Sequence, residues 1–245
     1  MSIDEIHERV LALLSADPRA KAWSTYLDIG SGRGDLIARV TARFPVRASA
    51  CDYTAGLMEL PGQAVDVANL NHADLPYADA SFDVVTATEV IEHLEDFRRI
   101  VREIHRVLKP AGVCILSTPN VLNLGSRLRF LWFGFWNLFG PLPVRHGDLH
   151  TTGGHINPVS WFYVAHAMLD AGFEALEPHV DKVQRSALPA FVLLAVPIKL
   201  FGARALRRER VRYRTIDAVN EPIVRAMNST PLLLGRTLVV LGRKP

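Results

Sequence analysis

A turn of three alternating glycines follows the first strand-like segment of the chain. Residues 26–35 read Tyr-Leu-Asp-Ile-Gly-Ser-Gly-Arg-Gly-Asp, which places glycine at positions 30, 32 and 34. Such a backbone can turn sharply and approach a ligand that any Cβ would exclude, and the next helix offers free N–H groups. A single acid, Asp52, ends the next predicted strand and suits the paired hydroxyls of a ribose. The spacing therefore predicts a nucleotide or nucleoside pocket.

The spacing of the turn also distinguishes between nucleotides. A dinucleotide fingerprint has its third glycine one position later, where this chain has Asp35. The carboxylate of Asp35 would repel a pyrophosphate. A cationic or neutral nucleoside fits the turn better.

A second group of chemistry-bearing residues follows the fourth predicted strand, where residues 89–93 read Glu-Val-Ile-Glu-His. If this segment forms a helical turn, Glu89, Glu92 and His93 lie on one face. A carboxylate can then orient the imidazole, and His93 is the best candidate for a general base because its pKa lies near neutrality. The alternative is that Glu92 and His93 only cap and brace the following helix.

Strand-like and helix-like segments alternate around these residues after an N-terminal helix. The hydrophobic pattern predicts strands near 24–29, 46–51, 64–68, 82–88, 112–118, 173–179 and 236–241, and helices near 34–43, 54–60, 95–108 and 158–171. Alternation of this kind predicts an α/β fold with a mostly parallel sheet covered on both faces. Ligands of such sheets bind beyond the carboxyl ends of the strands, where both groups of residues fall.

The composition is that of a globular protein with one domain over 1–245. Hydrophobic residues make up 49% and charged residues 22% of the 245 positions. The two cysteines, Cys51 and Cys114, fall in apolar strands, which predicts reduced packing residues and a cytoplasmic location. The N-terminus has acidic residues and no apolar signal segment, so a cleaved leader is not expected.

Five motifs in order resemble the class I S-adenosylmethionine-dependent methyltransferases, within the group that includes ubiquinone-biosynthesis O-methyltransferases. The resemblance covers about residues 20–180 and, more weakly, the last strand. The motifs are the glycine turn of residues 27–34, the acid Asp52, the segment 75–85 (LPYADASFDVV), the segment 89–94 (EVIEHL), and the segment 106–110 (RVLKP) leading to Ser117-Thr118-Pro119-Asn120. The family implies a Rossmann-like sheet of seven strands whose last strand runs antiparallel, here with a helical insert before it.

The resemblance also implies roles for individual residues. S-adenosylmethionine, hereafter SAM, would contact Asp28, Gly30, Ser31, Gly32, Gly34, Asp52, Tyr53, Asn69, Asn71 and Glu89. The glycines would shape the turn under the methionine part, with Asp28 near its amino group. Asp52 would bind the ribose, and Tyr53 would lie against adenine. The acid that often reaches the adenine amine is missing, so Asn69 or Asn71 would replace it.

A metal site is a further expectation from resemblance. Glu-x-x-Glu-His followed some sixty residues later by a second histidine is similar to the divalent-metal site of small-RNA 2′-O-methyltransferases. The corresponding residues here are Glu89, Glu92, His93 and His155. Two carboxylates and two imidazoles would suit Mg²⁺, Mn²⁺ or Zn²⁺. The bound metal would then lower the pKa of a coordinated hydroxyl.

Two regions outside the motifs suggest an amphiphilic acceptor. Residues 120–165 contain an aromatic run at 130–139 and are predicted to form a lid on the acceptor side. The insert 181–234 contains an uncharged run at 187–198. The next segment, 199–214, contains seven positively charged residues and one acid, Glu209. Broken by Pro189 and Pro197, the run is expected not to cross a bilayer but to lie at its surface, or to be buried as a helical pair with a solvated basic face.

The sequence therefore predicts a SAM-dependent methyltransferase acting on an oxygen of a hydrophobic or lipid-linked small molecule, such as a quinone precursor or glycan intermediate. The expected location is the cytoplasm, with peripheral contact at the inner face of the membrane through 187–214. A catalytically silent SAM-binding partner protein and an RNA 2′-O-methyltransferase are the alternatives. Nucleic acid is the weaker partner, because the arginines occur in one segment and the aromatics are embedded in apolar runs.

Overall fold

The computed structural model describes residues 3–142 and 154–245. Seven strands form one sheet in the order β3-β2-β1-β4-β5-β7-β6. They are β1 Thr25–Ile29, β2 Arg47–Asp52, β3 Val65–Val67, β4 Phe82–Thr88, β5 Leu108–Pro119, β6 Glu174–Val180 and β7 Thr237–Arg243. The pairs from β3 to β5 are parallel, whereas β7 runs antiparallel to both β5 and β6. The predicted Rossmann-like sheet with an antiparallel last strand is confirmed.

Helices cover both faces of the sheet. They are α1 Asp4–Ala16, α2 Asp35–Arg43, α3 Phe97–Val107, α4 Leu124–Phe133, α5 Trp161–Asp170, α6 Leu188–Arg208, α7 Glu221–Ala226 and α8 Thr230–Leu234. The side chain of Asp96 accepts from the backbone N–H of Arg99 and caps α3, and Asn123 caps α4 through Ser126 in the same way. These caps position the ends of two helices that follow the strands β4 and β5.

Alternation along the strands divides the core into two layers. Leu27 and Ile29 of β1 pack in the layer of α3 and α5, whereas Tyr26 of the same strand packs in the layer of α1 and α2. Successive side chains of a strand point to opposite faces, so a sheet covered on both faces needs apolar residues at every position. This is why the central strands read as largely apolar runs in the sequence, whereas the edge strands β3 and β6 are partly polar.

The helix predicted at 54–60 is wrong. These residues form turns, in which the Thr54 hydroxyl accepts from the N–H of Gly56 and the N–H of Met58 bonds to the carbonyl of Ala55. A side chain that bonds to the backbone two residues ahead favours a turn over a helix, and Gly56 adds backbone freedom. The segment instead packs Met58 against the glycine turn.

The expectation that prolines break the apolar run is also wrong. α6 is continuous over Leu188–Arg208, with Pro189 in its first turn and Pro197 inside it. Proline is tolerated in the first turn because that N–H has no helical partner. Within residues 3–142 and 154–245, one helical stretch, Arg185–Tyr213, contains an 18-residue window that is long and apolar enough to cross a membrane.

Candidate functional site

The three glycines of the turn have positive φ for different reasons. Their φ angles are +69° at Gly30, +50° at Gly32 and +86° at Gly34. A Cβ on Gly30 would lie 2.4 Å from Cγ2 of Val90, and one on Gly34 would lie 2.7 Å from Sδ of Met58. A Cβ on Gly32 would meet no described heavy atom within 4 Å. Gly30 and Gly34 are thus required by packing, whereas Gly32 keeps a space open.

Asp52 holds the turn from the end of β2. Its Oδ2 accepts from the N–H of Gly32 across 2.8 Å, and its Oδ1 accepts from the N–H of Tyr53 across 2.7 Å. The residue is only 5% exposed. A carboxylate has about four acceptor positions, so the lone pairs that these two bonds leave could accept two neighbouring hydroxyls.

A cavity of about 260 Å³ lies over the turn. Of the residues predicted from the sequence, it is lined by Gly30, Gly32, Asp52, Tyr53, Asn69, Asn71, Glu89 and His93. Its apolar wall, which sequence reasoning missed, comprises Leu57, Ala68, Leu70, Val90 and Leu94. These residues gave no signal, because an apolar residue at a strand end looks like core in a sequence. The open space at Gly32 and the buried carboxylate beside it fit a nucleoside-bearing cofactor such as SAM.

Three predicted cofactor residues do not line this cavity. Asp28 and Ser31 are buried, and Gly34 begins α2. The hydroxyl of Thr86 donates to Oδ1 of Asp28 across 2.6 Å, and the Tyr26 hydroxyl lies 2.7 Å from that of Thr86. Burial raises the pKa of Asp28 to about 7, against the two hydroxyl bonds, which lower it. These residues support the turn from below.

Asn69 and Asn71 both use their amide oxygens within the chain. Oδ1 of Asn69 accepts from the N–H of Asn71 across 3.1 Å, and Oδ1 of Asn71 accepts from the N–H of Glu95 across 2.9 Å. An amide oxygen has two lone pairs, so each could accept one further donor. The predicted contact with an adenine amine is compatible with either residue.

Glu89 stands at the end of β4 with a φ of +55°. Ser117 of the neighbouring β5 fixes it twice, because its hydroxyl donates to Oε1 of Glu89 across 2.9 Å and also accepts from the N–H of Glu89 across 3.1 Å. Burial raises the pKa of Glu89 to about 7, against the bond from Ser117, which lowers it. Sequence reasoning did not assign a role to Ser117, although it lies in the quoted Ser-Thr-Pro-Asn motif.

Glu92 is fully buried, and neither of its carboxyl oxygens has a hydrogen-bond partner within the described residues. Burial raises its pKa well above the usual range, and the neighbouring Glu89 raises it further, against the backbone of Glu92 and the nearby Thr118 hydroxyl, which lower it. Its main-chain carbonyl accepts from the N–H groups of Ile156 and Asn157. Glu92 therefore connects the end of β4 to the segment that precedes α5.

His93 is oriented by a main-chain carbonyl and not, as predicted, by a carboxylate. Its Nδ1 lies 2.9 Å from the carbonyl oxygen of Gly154, which can only accept, so Nδ1 carries the proton and Nε2 is left as an acceptor. The prediction is wrong because Glu89 has left-handed backbone and the short helical turn begins only at Ile91. Burial lowers the pKa of His93, against the Gly154 bond, so its neutral form dominates at pH 7.

Three of the four predicted metal ligands come together. Ligand atoms of Glu92, His93 and His155 lie within 4.8 Å of one another, and the two imidazole rings meet edge to face with centroids 4.8 Å apart. Glu89 does not belong to this group. Burial lowers the pKa of His155, and His93 lowers it further. One carboxylate with free oxygens and two neutral imidazoles could hold a divalent cation.

A second cavity, of about 460 Å³, is lined by His155. Aromatic residues that follow α4 line it, among them Phe135, Trp136 and Phe139, and the ring of Phe139 lies 5.3 Å from that of His155. The predicted lid 120–165 thus contributes an aromatic wall beside His155. Part of that lid, residues 143–153, lies outside the described residues.

Known proteins share these motifs and this fold. Residues 27–116 match the family model described as "Methyltransferase domain". A probable S-adenosylmethionine-dependent methyltransferase of Mycolicibacterium smegmatis is 43% identical over 38% of this chain and 37% of its own length. The ubiquinone/menaquinone biosynthesis C-methyltransferase UbiE of Desulfotalea psychrophila is 29% identical over 51% of this chain and 52% of its own length. The matches span at most about half of these two relatives.

A solved structure extends the similarity of fold to the whole chain. The SAM-dependent methyltransferase from Archaeoglobus fulgidus superposes with a TM-score of 0.58 over 99% of this chain and 95% of that one, at 15% identity. Together with the family match and the two relatives, this fold confirms the resemblance that the motifs indicate. Residues 27–116 therefore match a methyltransferase domain, and the chain has the fold of the class I S-adenosylmethionine-dependent methyltransferases.

Proposed function

We propose that the protein transfers the methyl group of SAM to an oxygen of a hydrophobic or lipid-linked small molecule. One observation carries the proposal. The cavity that is lined by the glycine turn and Asp52 is also lined by Glu89 and His93. Residues suited to a nucleoside and a group suited to accept a proton therefore face one space.

The residues of the cavity divide the work of such a transfer. The sulfonium of SAM supplies an activated methyl group, so the protein has mainly to align an acceptor with it and deprotonate that acceptor. Asp52 would bind the ribose hydroxyls while Tyr53 covers the adenine. His93 would accept the proton of the acceptor hydroxyl at Nε2, because Nδ1 is committed to Gly154. Glu89, fixed by Ser117, would border the reacting centre.

The acceptor class rests on the walls of the two cavities. Apolar side chains flank Asn69 and Asn71 in the first, and aromatic rings line the second next to His155. The UbiE relative is named for quinone biosynthesis, which favours a quinone precursor over the glycan intermediate. That relative is also named a C-methyltransferase, so it does not support an oxygen acceptor. The proposal of oxygen rests on His93, which could act as a base for a hydroxyl group.

Two variants test the assignment with calorimetric SAM binding and with transfer of labelled methyl groups to a prenylated catechol and a prenylated hydroxyquinone. We expect His93→Asn to retain SAM binding and lose at least about a hundredfold in transfer, as expected for a general base. His166→Asn, an exposed histidine on α5, is the matched control. Equal rates for His93→Asn and the control would contradict the base. SAM binding without transfer to either acceptor by the wild type would favour the catalytically silent binding protein.

RNA is the less favoured acceptor. The basic residues 199–214 lie on α6 and after it, whereas the residues lining the first cavity include no lysine or arginine. A polynucleotide needs cations along its path to the reacting centre. Transfer to a short RNA duplex that exceeded transfer to the prenylated catechol would reverse this ranking.

A divalent cation at Glu92, His93 and His155 is an alternative to the general-base role of His93, because it would occupy Nε2, the acceptor that the Gly154 bond leaves. It is favoured by the two carboxyl oxygens of Glu92 that lack partners and by the Gly154 carbonyl, since metal-binding histidines commonly donate their other N–H in this way. The donor set suits Zn²⁺ or Mn²⁺ better than Mg²⁺. Equilibrium dialysis against Zn²⁺ should retain one ion per wild-type chain and none in His155→Ala. Retention of no ion by the wild type would contradict this candidate.

A further inference from the structure

The outer face of α6 is an apolar surface that the fold leaves uncovered. Five apolar side chains on its first two thirds are between 65% and 82% exposed, namely Val192, Leu193, Val196, Leu200 and Phe201. The helical stretch Arg185–Tyr213 contains an apolar window of 18 residues, and only 6% of these residues are buried in the protein. Soluble monomers rarely expose a continuous apolar patch of this kind without a partner.

The inner face of the same helix packs on the protein. Ala190, Phe191 and Ile198 contact a small core formed with Leu124, Leu233 and other residues of the body. Residues 191, 194, 195, 198, 202 and 206 are all partly buried, which is the spacing of one helical face. A helix that is packed along one face has one free face to offer, and insertion across a bilayer would require it to detach.

A basic segment continues this surface at its C-terminal end. Residues 199–214 contain one acid, Glu209, and seven positively charged residues, namely Lys199, Arg204, Arg207, Arg208, Arg210, Arg212 and Arg214. Arg210 pairs with Glu221, but Arg204, Arg207 and Arg214 are exposed and form no ion pair among the described residues. Uncompensated positive charge next to exposed apolar side chains is the pattern of an interfacial membrane helix.

Aromatic residues on a neighbouring helix add to the exposed apolar surface. The last turn of α4, which packs against α6, exposes Leu131 by 72%, Trp132 by 70% and Phe133 by 57%. Trp and Phe side chains of this kind are favoured at the boundary between headgroups and acyl chains. α4 thus offers a second element that suits the same boundary.

We infer that the outer face of α6 docks the protein on a membrane containing anionic phospholipids. The apolar residues 192–201 enter the headgroup and acyl boundary, and the arginines from 204 onward contact the phosphates. Anionic lipid fits this surface because its phosphates would pair with the three exposed arginines that lack counter-charges. An apolar protein partner would leave those arginines unpaired. The inference does not depend on the proposed methyl transfer. It agrees with the predicted location at the inner face of the membrane, whose cytoplasmic leaflet is anionic.

Flotation of the full chain with vesicles tests the charge contribution. Vesicles of pure phosphatidylcholine are compared with vesicles that contain about 30 mol% phosphatidylglycerol, at about 0.15 M salt. We expect binding to the anionic vesicles to exceed binding to the neutral ones. The double variant Arg204→Gln with Arg207→Gln should bind the anionic vesicles roughly 25-fold more weakly, because each lost charge lowers the affinity about fivefold. Arg43→Gln with Arg102→Gln, which removes two other exposed arginines, is the matched control and should bind like the wild type.

A second pair of variants tests the apolar contribution. Leu193→Glu with Phe201→Glu should abolish binding to the anionic vesicles, whereas Val67→Glu with Val219→Glu, at exposed positions outside α6, should not. Unchanged SAM binding by calorimetry shows that each variant is folded and separates this test from that of the proposed function. Equal binding of all variants would overturn the inference. Wild-type protein that stays in the vesicles after alkaline carbonate extraction would also overturn it, in favour of a spanning helix.

Discussion

Gly32 donates its backbone N–H to Oδ2 of Asp52 across 2.8 Å, joining the glycine turn after β1 to the end of β2. The same carboxylate accepts from Tyr53 through its other oxygen. One acid thus fixes the backbone of the turn and faces the cavity above it. Gly32 contributes to both, because its N–H makes the bond and its lack of a Cβ keeps that space open.

We predict that Gly32→Ala separates folding from cofactor binding. Gly62 is the matched control, since its φ of +78° is also positive and a Cβ on it would also meet nothing within 4 Å. Each substitution should lower the free energy of unfolding by about 1 kcal/mol, the cost of a left-handed alanine. Only Gly32→Ala should weaken SAM binding, because only Gly32 lines the cavity. Equal affinities of the two variants in calorimetry would contradict this role.

The fold could be predicted from the sequence because the central strands β1, β4, β5 and β7 are largely apolar and are bounded by clear breaks. The predicted bounds of β1, β4 and β6 lie within one residue of those observed. The helix at 54–60 failed because the Thr54 hydroxyl bonds to the backbone at Gly56, an interaction that hydrophobic spacing does not report. Pro197 predicts a break in the apolar run, but α6 continues through it.

The site could be predicted only where neighbours along the chain supply its parts. Gly32 follows β1 and Asp52 ends the adjacent parallel strand β2, so their proximity is a consequence of topology. The partners of the reacting residues come from far along the chain. Gly154 orients His93 and Ser117 fixes Glu89, and neither pairing has a signature in local spacing. Such contacts depend on how loops return over the sheet.

We predict that methyl transfer declines at acidic pH through His93. Burial lowers the pKa of His93 below its ordinary value of 6.5, so the ring is neutral at pH 7 and gains a proton only in more acidic solution. The transfer rate should therefore fall only at pH values below 6.5, the ordinary pKa of histidine. SAM binding measured at the same pH values should change less than the rate. A rate that stays constant down to the pH at which the protein unfolds would contradict the assignment of the base.

Asp28 should make the folded state less stable as the pH rises. Its pKa is raised from 3.8 to about 7, so between these values the unfolded chain releases a proton that the folded chain keeps. The stabilisation is complete below pH 4 and is lost as the pH rises towards 7, by at most about 4 kcal/mol. Asp28→Asn keeps an acceptor for Thr86 and cannot titrate.

Chemical denaturation of the wild type and of Asp28→Asn between pH 5 and 8 measures this contribution. Glu89 and Glu92 also have raised pKa values, but they are present in both proteins, so the difference between the two curves isolates Asp28. We expect the free energy of unfolding to fall more steeply with pH in the wild type. Parallel curves would show that Asp28 is ionised throughout this range.

Calorimetric titration of SAM into the wild type and into Asp52→Asn tests the central claim most directly. Asp66→Asn is the control, because it removes the same charge from the adjacent strand, at an exposed residue. We expect one site per wild-type chain, an unchanged affinity for Asp66→Asn, and a loss of about 10- to 100-fold for Asp52→Asn, as expected when hydrogen bonds to a charged group are removed. Equal affinities of the two variants, or no binding to the wild type, would contradict the assignment of this cavity to SAM.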